Sequence, residues 1–416
     1  MIDKLELGRR ALLTGGVGRA EPILITSGRG ATLFDINGKD YIDFTSQAWT
    51  YTVGINHPRV VEAAIAQIRN ITHLRTSFES IPKLLLSERL IRLANNDLKR
   101  VNYALHGSVA IEGALKLAQN RKKGPIMVLK HAFHGRTIAT MALSWDNSSE
   151  SKGVVTVPEA YCYRCPYGKN WPNCHLDCAN PMEDAIKAKK PSVFIMEAVQ
   201  GNGGQIEFPR EFVQTVRHLC DKYGITFILD DIQTGFGRCG VMFGYELHDT
   251  IPDIVVFGKS LGGGFPIAGM LCKDCFSFKP AQHSFTFAHF PVSMAAALAT
   301  LDVIEEENIL EQARYKGLVI TNKLKTLQSK YELIGDIRGP GLMIGVELVK
   351  SRGTKEPACE EAQEILTYAI ENGVIFGIDK HANLGNVIKF KPPVIVTGEQ
   401  IDKAINVFED GLARLS

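Results

Sequence analysis

The sequence predicts an α/β protein, with a large part built on a mostly parallel central sheet and a smaller α+β part assembled from both chain ends. Three observations predict it. Short apolar runs at 101–105, 125–130, 192–196, 225–230, 253–257 and 267–272 alternate with helical patterns such as 109–119 and 210–223. Strands alternating with helices argue for a parallel sheet covered on both faces. Residues 31–44 read as a β-hairpin, because Asn37-Gly38 lies between two alternating apolar stretches, the strongest short hairpin signal. From about 294 the pattern turns helical, longest over 308–330. It then mixes strand-like stretches near 334–348 and 387–391 with helices near 358–371 and from Gly398. The division this predicts is 1–50 and 305–416 for the two pieces of the small domain and 51–304 for the large domain.

Composition narrows the function classes. A chain of 416 residues can bury a large core. A formal net charge of +2 gives no electrostatic reason to expect nucleic acid or an anionic membrane as partner. No apolar run approaches the ~18 residues of a membrane span. The N-terminus carries acidic residues and no apolar h-region, so no secretory signal is expected. Nine cysteines are an odd number, and Cys220 and Cys272 sit inside apolar runs. That pattern suits reduced thiols in the cytoplasm better than a disulfide framework.

The chemistry concentrates at four strand ends. Ligands in open α/β sheets bind beyond the carboxyl ends of strands, so these loops belong to one crevice. The first is Tyr103-Ala-Leu-His106-Gly107-Ser108, which leads into a helix. Backbone N–H groups and the Ser108 hydroxyl would bind a phosphate there, although a plain Ser N-cap reads the same way. The second is Phe133-His134-Gly135-Arg136. Its aromatic can stack on a heteroaromatic ring and its arginine can take a carboxylate bidentately. The third is Glu197, a carboxylate ending a buried run before a glycine-rich loop. Carboxylates are seldom buried without a partner. The fourth is a pair: Asp230 ends one apolar run, and Lys259 follows another in Phe257-Gly-Lys259-Ser-Leu-Gly-Gly-Gly264. An aldehyde cofactor with a pyridine ring requires such a pair. The amine forms the Schiff base, and the carboxylate keeps the ring nitrogen protonated.

In this order the motifs resemble the class III aminotransferases, which use pyridoxal 5′-phosphate on fold type I. The resemblance runs from about Arg29 to the C-terminus and is most specific from Ile228 to Pro266. It implies that Lys259 holds the cofactor and moves the substrate proton, that Asp230 pairs with the pyridine nitrogen and that Gln233 contacts the ring hydroxyl. Gly107 and Ser108 would bind the phosphate, Phe133 would stack on the ring with His134 beside it, and Glu197 would be an acidic gate. Thr286 would reach the phosphate from a partner subunit, which implies a homodimer. Arg136 would dock a distal carboxylate, and Trp49 matches an aromatic of the substrate pocket in amine-accepting relatives, though a core aromatic fits Trp49 equally.

Some positions depart from the family pattern. His106 and Val109 replace a Ser and an acidic residue, Asp230-Asp231 replaces Asp-Glu, and Ala288-His289-Phe290 replaces a Gly-Gly-Asn loop. Lys389 stands where an arginine commonly takes the substrate α-carboxylate, and a lysine lacks the bidentate fork. These changes leave the cofactor machinery intact and count against ordinary α-amino acid exchange. The implied function is transamination between an amine or ω-amino acid and a keto or aldehyde acceptor. Racemisation or epimerisation, decarboxylating transamination and a non-enzymatic cofactor-binding role remain alternatives. The stretch Gly335–Leu342 with Thr354-Lys-Glu-Pro357 looks most like the dialkylglycine decarboxylase branch. Cys162, Cys165, Cys174 and Cys178 have spacing compatible with zinc, but the segment looks like a surface excursion of some relatives, and no metal is expected.

Overall fold

Two seven-stranded sheets organise the chain. The computed structural model describes Ala11 and residues 23–145, 151–169, 171–378 and 385–415. In spatial order the first sheet contains Arg100–Ala104, Ala268–Cys272, Ile254–Phe257, Thr226–Asp230, Val193–Glu197, Ile126–Leu129 and Val154–Val157. Its members from Ile254–Phe257 onward pair in parallel. Ala268–Cys272 alone runs against both of its neighbours. The short edge strand Val154–Val157 was not anticipated. Its sequence, Val-Val-Thr-Val, is short and β-branched, and at the sheet edge it is only partly buried.

Alternation in the central strands explains how the sheet is covered. Ile195, Ile228, Ile254 and Val256 point to one face and pack with Ala110, Ile111, Ala114 and Leu117 of the helix Gly107–Arg121. Phe194, Met196, Phe227, Leu229 and Val255 point to the other, where Phe212, Val213, Val216 and Leu219 of Arg210–Tyr223 join the same cluster. Successive strand side chains face opposite ways, so both faces bury apolar area. Each fully buried Val, Ile, Leu or Phe contributes roughly 1.5–3 kcal/mol before entropy is counted. Arg210–Tyr223 stops at Gly224, whose φ of 61° suits a residue without a Cβ.

The second sheet draws on both chain ends. Its order is Ile25–Arg29, Thr32–Asp35, Asp40–Phe44, Val374–Ile378, Val387–Phe390, Ile344–Leu348 and Ile334–Arg338. Thr32–Asp35 and Asp40–Phe44 form the hairpin read from Asn37-Gly38. Asp35 accepts from the backbone N–H groups of Asn37 and Lys39, and Gly38 takes φ 81°. Asp40–Phe44 then pairs in parallel with Val374–Ile378, joining residues more than 300 positions apart. The helix Pro291–Glu306 links the two parts, so the anticipated boundary at 304/305 falls inside its last turn. The final helix, Gly398–Ala413, starts at a capping box between Thr397 and Gln400.

Candidate active site

The parallel register places two carboxylates side by side. Asp230 and Glu197 end adjacent strands and are direct partners in the pairing. Lys259 follows the next strand, Ile254–Phe257, after Gly258, and adopts φ 40°. Burial pulls the Lys259 ammonium down to about 8. Asp230 and Glu197 pull it back up, and Lys389 pushes it further down. The amine nevertheless opens onto a cavity of about 580 Å³. An amine so placed is partly unprotonated near neutral pH, the form that can serve as base or nucleophile.

Each carboxylate has its own neighbours. Asp230 Oδ2 lies 2.8 Å from His134 Nδ1, so the buried imidazole donates to it. Asp230 Oδ1 accepts from the Ile232 N–H at 3.2 Å. Glu197 is committed to backbone: it accepts from Phe133 N and Gly201 N, each at 3.0 Å. Burial raises its carboxyl to about 7, His134 opposes the rise, and Asp230 adds to it. Asp231 is also buried, and burial raises it to about 8. It accepts from Thr234 and from the Gly244 N–H.

The cavity wall collects most of the residues anticipated from sequence. Gly107, Ser108, Phe133, His134, Arg136, Asp230, Gln233, Lys259 and Trp49 all line it. Glu197 stands behind the wall, Lys389 is buried behind Trp49, and Thr286 is exposed outside the cavity of this chain. The helix Gly107–Arg121 points its N-terminus into the space. His106 caps it through Nδ1, which accepts from the Ser108 N–H at 3.3 Å. Ser108 Oγ in turn accepts from the Arg136 N–H at 3.1 Å. Gly135 takes φ 130°, and a Cβ there would fall 2.4 Å from Ser108 Oγ. Only a glycine lets the two loops approach this closely.

Sequence reasoning missed three features here. His134 was expected beside Phe133, whereas its ring bonds Asp230 directly. Trp145 stacks on Phe133 with centroids 4.8 Å apart, and Arg136 lies over both rings. Lys391 brings its Nζ 3.2 Å from the Trp49 ring centroid. The two-residue spacing from Lys389 was the available signal for Lys391; nothing local announces Trp145. Trp49 is also near Lys259 and Lys389, at 4.9 and 4.8 Å. It ends a turn in which Ser46, Gln47, Ala48 and Trp49 take φ of 46°, 45°, 62° and 66°. Left-handed backbone costs roughly 1–2 kcal/mol per non-glycine residue, so the surroundings must hold it. All nine cysteines are free thiols, and among the described residues no cluster of His, Cys, Asp or Glu is arranged to hold a metal.

The residues fit pyridoxal 5′-phosphate. The buried Gln233 Oε1 and His134 Nε2 lack hydrogen-bond partners among the described residues, and both side chains line the cavity. A helix N-terminus suits the phosphate, and Asp230 suits a protonated ring nitrogen. A sheet of this order with Lys259 and Asp230 at adjacent strand ends places the molecule among the fold type I pyridoxal-phosphate enzymes.

Known proteins narrow the class. The model of the class III aminotransferases matches residues 16–412. The chain belongs to that family, and it is a pyridoxal-phosphate-dependent transaminase. It is 33% identical to an acetylornithine aminotransferase of Caldanaerobacter subterraneus, covering 95% of each chain. It is 32% identical to a leucine/methionine racemase of Thermococcus litoralis, over 94% of this chain and 91% of that one. Its fold matches a Bacillus anthracis aminotransferase with a TM-score of 0.91 and 27% identity, over 99% of this chain and 98% of the other.

Proposed function

We propose that the enzyme takes its amino group from an amine or ω-amino acid and gives it to a keto or aldehyde acceptor. The observation that carries the choice of donor is Trp49, whose ring meets the ammonium groups of both Lys259 and Lys389. A lysine occupied by an indole, and bonded to Asn202 Oδ1 at 3.4 Å, is a poor first seat for an α-carboxylate. The apolar face beside Lys259 suits an uncharged donor substituent.

Bound pyridoxal phosphate supplies the electron sink for the bond broken at the donor carbon. Asp230 would hold the ring-nitrogen proton, and His134 bonds Asp230. Gly107 and Ser108 would seat the phosphate, Gln233 would meet the ring hydroxyl, and Phe133 would cover the ring. Lys259 is the covalent anchor. Its Nζ, partly unprotonated near neutral pH, would also be the base that takes and returns the donor-carbon proton. Glu197 holds the loops at 133 and 201, and Arg136 at the rim takes the distal carboxylate of an ω-amino acid or of a dicarboxylic acceptor. Lys389, beside the indole, adds positive charge on the side where an acceptor carboxylate would sit.

The working unit in this reading is a cytoplasmic homodimer in which Thr286 completes the partner's phosphate seat. Support comes from the exposed position of Thr286 and the exposed apolar side chains around it and nearby, Phe285, Phe287, Phe78 and Ile81. The division into 1–50, 51–304 and 305–416 is part of the proposal and is supported by the two sheets. Purified enzyme with pyridoxal phosphate, a panel of amines and ω-amino acids, and a keto-acid acceptor tests the donor class. Turnover of α-amino acids alone would overturn it. The likeness to a leucine/methionine racemase supports a second reading, reprotonation of the same carbon. Solvent deuterium entering an amino acid without keto product would select that reading.

A further inference from the structure

Arg238 lies on the stretch that follows Asp230, yet the chemistry above does not use it. It is fully buried. Its hydrogen bonds go to carbonyls and hydroxyls: Nη1 donates to Pro392 O at 2.6 Å and Leu342 O at 3.2 Å, and Nη2 donates to Ser46 Oγ at 2.8 Å and Thr52 Oγ1 at 3.4 Å. Burial pulls its guanidinium down to about 10, so it stays charged at neutral pH. Among the described residues it bonds no carboxylate, though the buried Asp43 favours its charge, and apolar residues of similar volume hold a core together as well or better. What distinguishes Arg238 is where its partners lead.

Ser46 opens the left-handed turn that ends in Trp49. Ser46 Oγ accepts from Arg238 and donates to Lys391 O at 2.7 Å, just past the strand that carries Lys389. Thr52 Oγ1 donates to Ser260 Oγ at 2.7 Å, and Ser260 Oγ donates to Trp49 O at 3.0 Å. Ser260 is the residue after Lys259. One planar, five-donor group therefore ties together the turn that carries Trp49, the strand end that carries Lys391 and the backbone next to the reactive amine.

We propose that Arg238 is a positioning residue: through Ser46, Thr52 and Ser260 it holds the strained turn 46–49 in place, so that the Trp49 indole stands as a fixed wall beside Lys259 and limits the size of the donor. Without that hold the turn relaxes toward ordinary right-handed backbone, and the indole leaves the amine.

The test has two arms. The chain has three tryptophans, so Trp145→Phe with Trp171→Phe leaves Trp49 as the sole reporter in the full-length, cofactor-free protein. Ser46→Ala breaks the direct link to the turn while leaving Arg238 and its Thr52 bond in place, and Arg238→Lys keeps charge without the fork. Both are expected to raise acrylamide quenching of Trp49 at least about threefold and to red-shift its emission, with Arg238→Lys no worse than Arg238→Gln. Unchanged quenching in a folded Ser46→Ala protein overturns the proposal, whatever reaction the enzyme performs. The second arm rests on the amine-donor reading. Ser46→Ala is expected to raise kcat/KM for a bulky amine relative to a small one about fivefold, mainly through KM, and to add nothing when combined with Trp49→Ala. A purely structural Arg238 would lower the melting temperature, leave the donor ratio unmoved, and act additively with Trp49→Ala.

Discussion

Asp230 and Lys259 reach the cavity, with Glu197 behind its wall, from three neighbouring strands of one sheet, whereas Trp49 and Lys389 belong to a left-handed turn and to a strand of the other sheet. The first wall is a product of regular pairing. Once Thr226–Asp230 and Val193–Glu197 are in register, the position of both carboxylates follows. The second wall needs side chains far apart in sequence to hold backbone that would not adopt its shape alone. Reaction chemistry thus rests on the part of the fold that tolerates least change. Substrate choice, in the reading proposed above, rests on a part that a few hydroxyls hold.

That contrast can be broken most severely at Lys259. Lys259→Ala removes anchor and base together, and turnover should fall by about 10⁴-fold or more, since residues acting in this capacity are worth at least that much. Residual turnover near the parent rate in a steady-state assay would sink the assignment. Asp230→Asn keeps the shape and the Ile232 contact but removes the charge facing the ring nitrogen. A loss of about 10²–10³-fold in kcat is expected, with the fold unchanged by circular dichroism.

The ionisation of Lys259 sharpens the picture of the first wall. Its ammonium titrates at about 8, below its ordinary range. The free amine fraction therefore rises about tenfold per pH unit and levels above that value. The rate at which cofactor-free protein captures pyridoxal phosphate should follow the same curve, read by absorbance. A rate still climbing tenfold per unit between pH 9 and 10 would show an amine no more acidic than an ordinary lysine.

The opposite wall should answer differently. Trp49→Ala is expected to shift donor preference toward bulky amines by about tenfold in kcat/KM, in keeping with what apolar pocket contacts discriminate, while cofactor capture stays within about twofold. The smallest effect is expected at Glu197. Its carboxyl titrates at about 7 in the folded chain, above its unfolded value. Its stabilising contribution is therefore complete below about pH 4.5 and lost as pH rises through 7. Glu197→Gln carries a constant cost, because an amide cannot accept both the Phe133 and Gly201 N–H groups. Its melting temperature relative to the parent should still climb by about 3 °C between pH 4.5 and 7 in cofactor-free protein. A flat difference across that range would contradict the buried, proton-retaining carboxyl.

Legibility in sequence divides along the same line. The strands ending in Asp230 and Glu197 are continuous apolar runs because helices cover both faces, and that pattern survives in one dimension. Asn37-Gly38 marked its hairpin for an equally local reason. Val154–Val157 escaped although its Val-Val-Thr-Val is β-branched, because so short a run between polar stretches is a weak signal. The contact of His134 with Asp230, the stacking of Trp145 on Phe133 and the turn at 46–49 are fixed by residues from separate elements. No spacing rule reports them. Lys389 was legible as a substitution in a motif, but its place behind Trp49 was not.

The parallel pairing of Asp40–Phe44 with Val374–Ile378 bears on how the chain is made. A ribosome produces the hairpin early and its neighbour strand some 330 residues later. Until then the Asp40–Phe44 edge has open donors and acceptors, a template for wrong partners. Closing so long a loop is also slow relative to local pairing. The hairpin edge is therefore a segment that a chaperone would have reason to shield.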